Sequence, residues 1–304
     1  MRISTQSFYE QSRTAMGAQQ SNLLRVQQQL GAGTKLLAPS DDPLAATRAL
    51  AVSQSIALNA QYSASRAQAT QTLTLEDNAL QSVTTVLQNI KSSLIEAGNG
   101  TLSDADRATI ATALQSSFDQ LQGLANTDDG NGQFLFAGFK SGSPPFVRQA
   151  DGSVLYAGDQ GQRLMQVDVS RQMAATDDGR SIFQHAGTDV FKTISEVIAA
   201  LKTPVDNANP TLQTDALGKA NREITNAHDN VLTVRSSVGS RLQELDALGV
   251  TGDSRRLSDK SYLSDLQDLD YASAIAEFYQ RQTALQASQQ TFVKIQQIAL
   301  FNYL

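Results

Sequence analysis

The sequence predicts a mainly α protein, a long coiled-coil-like helical bundle with a small β-rich inserted domain. The first observation behind this prediction is that residues 44–97 contain neither glycine nor proline, which permits a helix far longer than globular helices usually are. The second is an apolar stripe from Leu217 to Leu245 whose spacings alternate between three and four residues, as in coiled coils. The third is a cluster of glycines and turn pairs over residues 128–187, with short β-rich runs between them.

The long helix is predicted to begin at Pro43, to end near Gly98 and to pair with the later striped helix. Its second half has its own apolar stripe, formed by Leu73, Leu80, Val83, Leu87, Ile90 and Leu94. The later stripe consists of Leu217, Ala220, Ile224, Ala227, Val231, Val234, Val238, Leu242 and Leu245. We expect these two helices to be antiparallel partners. Shorter helices are predicted from a capping box at Ser103 to about Asn126 and over residues 189–201.

The inserted region contains three runs with the composition and length of strands. They are Gln133 to Phe139, Ser153 to Ala157 and Leu164 to Val169. In the third run, strict alternation predicts that Met165, Val167 and Val169 lie on one face. These runs predict a small β-containing domain between two helical parts of the chain.

The two ends of the chain are alike, and each has a thin apolar face. Residues 1–29 and residues 280–297 contain seven glutamines each. The amino-terminal stripe is Met16, Gln19, Leu23, Val26 and Leu30. The carboxy-terminal stripe is Ile275, Phe278, Gln282, Leu285, Gln289, Phe292, Ile295 and Ala299. From residue 271 onward the only charged side chains are Glu277, Arg281 and Lys294. Such helices are predicted to need partners and to suit the interior of an assembly.

The composition excludes several classes of function. The chain has no cysteine, so disulfides, thiolate metal sites and cysteine nucleophiles are excluded. Its net charge is -6, and we find no cluster of Lys and Arg that would bind nucleic acid. The amino terminus has no apolar run typical of a cleaved secretory signal, and no segment has the length and hydropathy of a membrane span. By these rules alone the chain looks cytoplasmic.

The adjacent carboxylates of Asp41 and Asp42 are the most conspicuous candidates for catalysis or metal binding. Pro43 favours the first position of a helix, and the residue before a proline is pushed out of helical geometry. The spacing therefore predicts that Asp42 is the N-cap, and that Asp41 adds negative charge near the positive end of the helix dipole. A metal or acid–base role would need further groups at useful spacing, and we find none nearby.

The other candidate motifs are weak. The glycines of residues 31–36 make half of a dinucleotide fingerprint, but a glutamine-rich helix precedes them instead of a strand. His185 and His228 are the only histidines and lie in different patterns, which does not favour a metal site. Residues 128–133 lack the ligand alternation of a calcium loop. We therefore expect no catalytic residue, no metal and no cofactor.

Several segments together resemble one known family. These are "MRISTQSFYEQS" at the start, "LLAPSDDPLAATRAL" after the first helix, "GQFLFAGFKSGSPPF" at the opening of the insert, "VGSRLQELDAL" in the paired helix, and the whole run from "LSDLQDLDYASAIAEF" to "IALFNYL" at the end. They resemble the flagellar hook-filament junction proteins of FlgL type, which are hook-associated proteins of the flagellin superfamily. The resemblance covers nearly the whole chain, although residues after about 148 in the insert match less closely.

The resemblance implies a structural subunit of the bacterial flagellum, not an enzyme. It implies that the two termini pair as coiled coils, that subunits form a ring joining hook to filament, and that this ring templates flagellin polymerisation. The implied partners are other copies of the chain, the hook-side junction protein, flagellin and a flagellar export chaperone, with no nucleic acid and no membrane insertion. The implied route is flagellar type III export, which uses no cleaved signal and so replaces the cytoplasmic reading.

The resemblance also assigns roles to the segments and to the stripes. It divides the chain into an N-terminal assembly helix (1–42), an ascending helical core (43–127), a β-rich outer domain (128–187), a returning helical core (188–250) and a C-terminal assembly helix (251–304). The implied assembly interface of the N-terminal helix is Met16, Leu23, Val26 and Leu30. The implied interface of the C-terminal helix is Ile275, Phe278, Leu285, Phe292, Ile295 and Phe301.

Two alternatives remain open from the sequence. A filament-forming flagellin shares the helical frame, but "APSDDP" and the terminal "ALFNYL" depart from the usual flagellin pattern and favour the junction protein. An intracellular coiled-coil scaffold, or an enzyme with its active site in the β-rich insert, is an alternative of a different class.

Overall fold

The computed structural model describes residues 2–204 and 211–301. The chain forms two compact units. The unit that we call terminal contains Met1–Leu58 and Asp253–Leu304, and the unit that we call central contains Asn59–Gly252. Two long helices, α2 (Pro43–Ala97) and α6 (Thr211–Gln267), contribute residues to both units.

In the terminal unit, α1 (Arg2–Ala32) packs antiparallel to α7 (Tyr271–Phe301). The end of α1 lies beside the start of α7, where Leu269 donates its backbone N–H to the Gly33 carbonyl at 3.1 Å. At the opposite end of the pair, near the start of α1 and the end of α7, the rings of Tyr9 and Phe292 meet edge to face with centroids 5.9 Å apart. The termini are therefore paired, as the resemblance implied.

In the central unit, α2 and α6 are antiparallel, as the two stripes predict. Asn59 Nδ2 donates to the Gly252 carbonyl at 2.5 Å, and Arg235 Nε donates to Asp77 Oδ1 at 3.0 Å. The later residue of α2 thus contacts the earlier residue of α6, which shows that the two helices run in opposite directions. The apolar stripes of both helices lie in one buried core. The predicted shorter helices are α3 (Asp104–Ala125), with the full Ser103 capping box, and α5 (Val190–Lys202).

The insert contains two separate antiparallel hairpins. Strands β1 (Phe146–Arg148) and β2 (Val154–Tyr156) form the first, and β3 (Leu164–Asp168) and β4 (Arg171–Ala174) form the second. A short helix, α4 (Gly179–Phe183), follows. Two of the predicted strands are thus confirmed, as β2 and β3.

The predicted face of β3 is wrong at one residue. Val167 is fully buried and Met165 partly so, but Val169 is 66% exposed. The register shifts between Gln166 and Asp168, and the strand ends at Asp168. Because the pairing is irregular there, simple alternation does not extend to Val169.

The strand predicted over 133–139 is also wrong, because this apolar run forms a buried turn. Phe134 makes one isolated bridge with Asp128, and the chain then turns. Gly138 has φ +68°, which favours glycine. Leu135 donates its N–H to the Thr127 carbonyl at 3.0 Å, so the buried backbone finds partners outside a ladder. Apolar composition alone cannot distinguish a strand from such a turn.

Helix α6 continues through the predicted division at 250/251 and ends at Gln267. Gly252 lies at this point, but it permits close helix packing instead of ending the helix. A Cβ atom at Gly252 would lie 2.5 Å from Arg66 Nη2 and 3.0 Å from Asn59 Oδ1. The predicted boundary between core and C-terminal helix therefore falls inside one continuous helix.

A cluster of phenylalanines joins the insert to α3 and α5. Phe191, at the start of α5, is fully buried. Its ring centroid lies 5.1 Å from that of Phe146 on β1, 5.7 Å from Phe118 on α3 and 5.9 Å from Phe183 on α4. One side chain thus holds four elements together.

Substitution of Phe191 by Ala is expected to destabilise the central unit by about 3–5 kcal/mol, because it leaves a cavity among these rings. Chemical denaturation of the purified protein measures this change. Leu232→Ala, at an exposed position of α6, is the control and should change stability by less than about 0.5 kcal/mol. Equal losses in the two variants would contradict this account of the core.

Candidate assembly surface

The terminal unit has almost no apolar core of its own. Among its described residues the buried apolar side chains are Val26, Ala49 and Ala274, whereas the central unit contains the whole core cluster. The terminal unit instead exposes many large apolar side chains. They are Leu24, Leu37, Leu44, Leu50, Leu58, Leu257, Tyr262, Tyr271, Ile275, Tyr279 and Val293. Exposed apolar groups at this density mark a surface that binds another protein.

The seam between α1 and α7 uses most of the predicted stripe residues. On α1, Val26 is buried, and Met16, Leu23 and Leu30 are half-buried. On α7, the half-buried residues include Phe278, Leu285 and Phe292. A half-open surface cavity of about 300 Å³ lies along this seam, lined by residues that include Met16 and Phe292. Most apolar side chains of the seam are only half-buried, so the seam buries less apolar surface than the central core does.

Two predicted members of the α7 stripe lie outside this seam. Ile275 is 44% exposed, and Gln289 is also exposed, while Ala274 and Ser288 take the inner positions. The heptad of α7 is therefore one residue out of phase with the prediction at both places. Ala274 is 5% exposed and Ser288 is half-buried, so small side chains occupy the inner face of α7 at these two places, which apolar size alone does not indicate.

Helix α7 consequently has a second apolar face, which sequence reasoning missed. Tyr271, Ile275 and Tyr279 follow one another at intervals of four residues, and all are exposed, Tyr279 by 63%. The interval of four was the signal that could have revealed this face. We call these three residues the outer stripe.

The surface around the outer stripe carries very little charge. From residue 271 to 294 the charged side chains are Glu277, Arg281 and Lys294, and Arg281 Nε donates to Glu277 Oε1 at 2.7 Å. Burying this face in a partner would therefore desolvate few charges, and two of them already neutralise each other. The predicted interface residues Ile295 and Phe301 belong to α7, but their side chains lie outside the described residues.

The Asp41–Asp42 pair organises the turn between α1 and α2. Asp42 Oδ1 accepts hydrogen bonds from the N–H groups of Leu44 at 3.1 Å and Ala45 at 3.0 Å. Helix α2 begins at Pro43, between the cap and these donors. Asp42 and Pro43 therefore stand in the geometry of a helix N-cap and first turn.

Asp41 has a different role from the one that sequence reasoning gave it. Its Oδ2 accepts from the N–H groups of Ala38 and Leu37, both at 3.0 Å, and its Oδ1 pairs with Arg25 of α1 at 2.8 Å. The hydrogen bond from Ala38, then that from Leu37 and the charge of Arg25, lower the pKa of Asp41. Asp41 thus links the turn to α1 through these hydrogen bonds and the ion pair with Arg25, instead of interacting with the dipole of α2.

An apolar groove opens beside this turn. It has a volume of about 490 Å³ and is lined by Leu36, Leu37, Ala38, Pro39, Pro43, Ala46, Thr47, Leu50, Ser53 and Gln267. Its lining contains no charged side chain, so it is suited to an apolar partner.

The remaining candidates for chemistry are separate from one another. His228 lies 3.4 Å from Gln88 Nε2 and 3.6 Å from Asp229, whereas His185 lies in the turn after α4. Within residues 2–204 and 211–301, no group of three potential metal ligands comes together. Over the same residues, no helix combines the length and hydropathy needed to cross a membrane.

Comparison with known proteins identifies the family. Residues 3–141 match the model of the bacterial flagellin N-terminal helical region. The chain is 40% identical over 316 aligned positions to flagellar hook-associated protein 3 of Salmonella typhimurium strain LT2, and the alignment covers 99% of each chain. The protein of the same name from Escherichia coli K12 gives the same identity and coverage. The chain belongs to the flagellar hook-associated protein 3 family.

Solved structures of flagellar hook-associated proteins share the fold of this chain. A flagellar hook-associated protein from Vibrio parahaemolyticus superposes with a TM-score of 0.69 at 25% identity, covering 75% of this chain and 100% of that one. Hook-associated protein 3 from Legionella pneumophila gives 0.66 at 20% identity, covering 71% and 98%, and supports the fold. As a family member, the chain is a structural component of the bacterial flagellum and not an enzyme.

The N-cap role of Asp42 can be tested by substitution. Asp42→Ala removes the acceptor for two helix N–H groups and is expected to cost about 1 kcal/mol of stability, whereas Asp42→Asn retains an acceptor and is expected to cost much less. Denaturant unfolding measures both. A loss as large for Asp42→Asn as for Asp42→Ala would indicate that the carboxylate charge is required for another purpose.

Proposed function

We propose that this protein is the subunit of a ring that joins the flagellar hook to the filament and templates flagellin polymerisation. The observation that carries the proposal is the terminal unit, which exposes a dozen or so apolar side chains and buries very few. A unit of this kind gains its stability from neighbours, because each large side chain it buries contributes about 1.5–3 kcal/mol.

The proposal assigns the assembly contacts to named surfaces. The predicted interface residues Met16, Leu23, Val26 and Leu30 on α1, and Phe278, Leu285 and Phe292 on α7, hold the two terminal helices to each other. The outer stripe and the groove beside the Asp41 turn face neighbouring subunits. In a closed ring of identical subunits, one surface binds a different surface of the next copy, so two distinct apolar surfaces are required.

The proposed partners are further copies of the chain, the hook-side junction protein and flagellin. The names of the relatives support association with the hook. The match to the flagellin N-terminal helical region over residues 3–141 supports contact with flagellin, since helices of the same family can pack in the same way. The central unit, with its closed core and its β hairpins, is proposed to face outward.

Export through the flagellar type III apparatus is the proposed route to this location. The chain contains no cysteine and so needs no disulfide formed on the way. A chaperone is expected to cover the terminal helices before export, because their apolar faces are exposed in the free subunit.

A filament-forming flagellin is the second candidate, and the shared N-terminal region favours it. The two functions differ in what the purified protein does. A flagellin polymerises by itself into long filaments, whereas a ring subunit is expected to stop at closed or limited assemblies.

A strain lacking this protein is expected to grow hooks without filaments and to shed flagellin into the medium. Electron microscopy of the cells and immunoblots of the medium provide the measurement. Plasmid-borne full-length protein should restore filaments, and a chain lacking residues 284–304 should be exported without restoring them. Normal filaments on the deletion strain would refute the junction role.

The outer stripe is tested by the double substitution Ile275→Ser and Tyr279→Ser. Because both side chains are exposed, the unfolding free energy of the monomer should change little. Filament formation in the complemented strain should nevertheless be lost, since the stripe no longer buries apolar surface against a neighbour. The matched control is Leu164→Ser, at an exposed apolar position of the central unit, which should restore filaments. Filaments with the double variant would exclude the stripe from the interface.

A further inference from the structure

Two charged side chains of helix α2 are buried and form hydrogen bonds with residues of the insert. Arg66 is 5% exposed and Glu76 is fully buried. Arg66 Nη1 donates to the Val167 carbonyl of β3 at 2.9 Å, so this charge has a partner in the insert. Glu76 differs, because burial of a carboxylate requires compensation that its surroundings do not provide.

The hydrogen bonds of Glu76 are incomplete. Its Oε1 accepts from the Asp177 N–H at 3.3 Å, while its Oε2 is buried and has no hydrogen-bond partner. Asp177 belongs to the segment 174–178, which runs from the last residue of β4 to the N-cap of α4. A protonated Oε2 would be a donor, which is the form that a carboxyl adopts when it is buried beside another carboxylate.

The guanidinium of Arg241, which could neutralise Glu76, is already paired with other groups. Arg241 of α6 forms an ion pair through Nη2 with Asp177 Oδ2 and donates through Nη1 to the Ala174 carbonyl at 3.0 Å. Glu76, Asp177 and Arg241 together therefore contain two carboxyl groups and one guanidinium. If both carboxyls were ionised, the buried group would carry one uncompensated negative charge.

The other charged groups on the surrounding elements do not supply this charge. On α2 and α6, Asp77 pairs with Arg235 at 3.0 Å, and on β4 and α6, Arg171 pairs with Glu244 at 2.5 Å. Asp178 accepts from the Ser181 N–H at 2.9 Å as the cap of α4. Burial first, and the negative charge of Asp177 second, raise the pKa of Glu76 well above its usual value, and Arg241 opposes this only in part.

We propose that Glu76 is a proton-dependent latch, which holds segment 174–178 against α2 and α6 while its carboxyl group carries a proton. Loss of the proton places an unpartnered carboxylate against Asp177 in a buried site, and the segment opens to let water reach it. Because this segment follows β4, opening also loosens the β3–β4 hairpin. The latch couples the packing of the insert to external pH.

The direction of the pH effect follows from linkage. The folded, closed state retains the proton over the interval between the usual glutamate pKa of 4.5 and the raised pKa in the closed site. The stability from this group is complete below the lower value and is lost as pH rises through the higher one. Over that interval the opening equilibrium increases about tenfold per pH unit.

Hydrogen exchange of the full chain, corrected for the intrinsic pH dependence of exchange, tests the latch. Protection of residues 174–178 in the wild type should fall about tenfold per pH unit over part of the range from pH 5 to 9. In Glu76→Gln, which mimics the protonated side chain, protection should not vary with pH. Asp77→Asn, the neighbouring carboxylate, is the control and should retain the wild-type response. Equal pH dependence in wild type and Glu76→Gln would overturn the proposal.

A measurement on the wild type alone covers the case in which Glu76→Gln fails to fold. Carbon-13 NMR of protein labelled at the glutamate carboxyl groups follows each titration. One glutamate should remain protonated after all others have ionised, and the pH at which it titrates should mark the end of the fall in protection. Ionisation of every glutamate near the usual pKa would exclude the latch.

Discussion

The antiparallel apolar seam between α2 and α6 is the interaction on which the central unit depends. Leu73, Leu80 and Leu87 on one helix and Ile224, Val231 and Val238 on the other lie in one buried core. The insert, α3 and α5 add to that core through the phenylalanine cluster around Phe191. The apolar core of the central unit is thereby closed among its own described helices and strands.

The terminal unit differs, because it buries few apolar side chains and exposes many. Its helices use glutamine, serine and alanine where the central seam uses leucine and isoleucine, and the half-buried α1–α7 seam leaves apolar residues on the outside of α7. Under the proposed function, the free energy of folding is concentrated in the central unit, and the exposed apolar side chains of the terminal unit supply the free energy of association. The turn fixed by Asp41 and Asp42 lies within the terminal unit and sets where α2 begins.

Sequence predicts the long elements well because their signals accumulate over many residues. The stripes, the helix start at Pro43 and the Ser103 capping box all rest on repeated or chemically specific patterns. The insert is predicted less well. The run at 133–139 is apolar because it is a buried turn, and the register shift after Gln166 depends on how β3 pairs with β4 and not on the alternation within β3 alone. Similarly, the inner face of α7 includes the small side chain of Ala274, and the burial of Glu76 depends on contacts about 100 and 165 residues away.

We expect the two faces of α7 to be under different kinds of selection. A change at Ala274 or Phe278, on the inner face, should alter the pairing of α1 with α7 and so the folding of every subunit. A change at Ile275 or Tyr279 leaves that pairing intact and, under the proposed function, is felt only where subunits meet. Neighbouring residues on one helix can therefore evolve at different rates, the inner set with the chain's own α1 and the outer set with the surface of its neighbour.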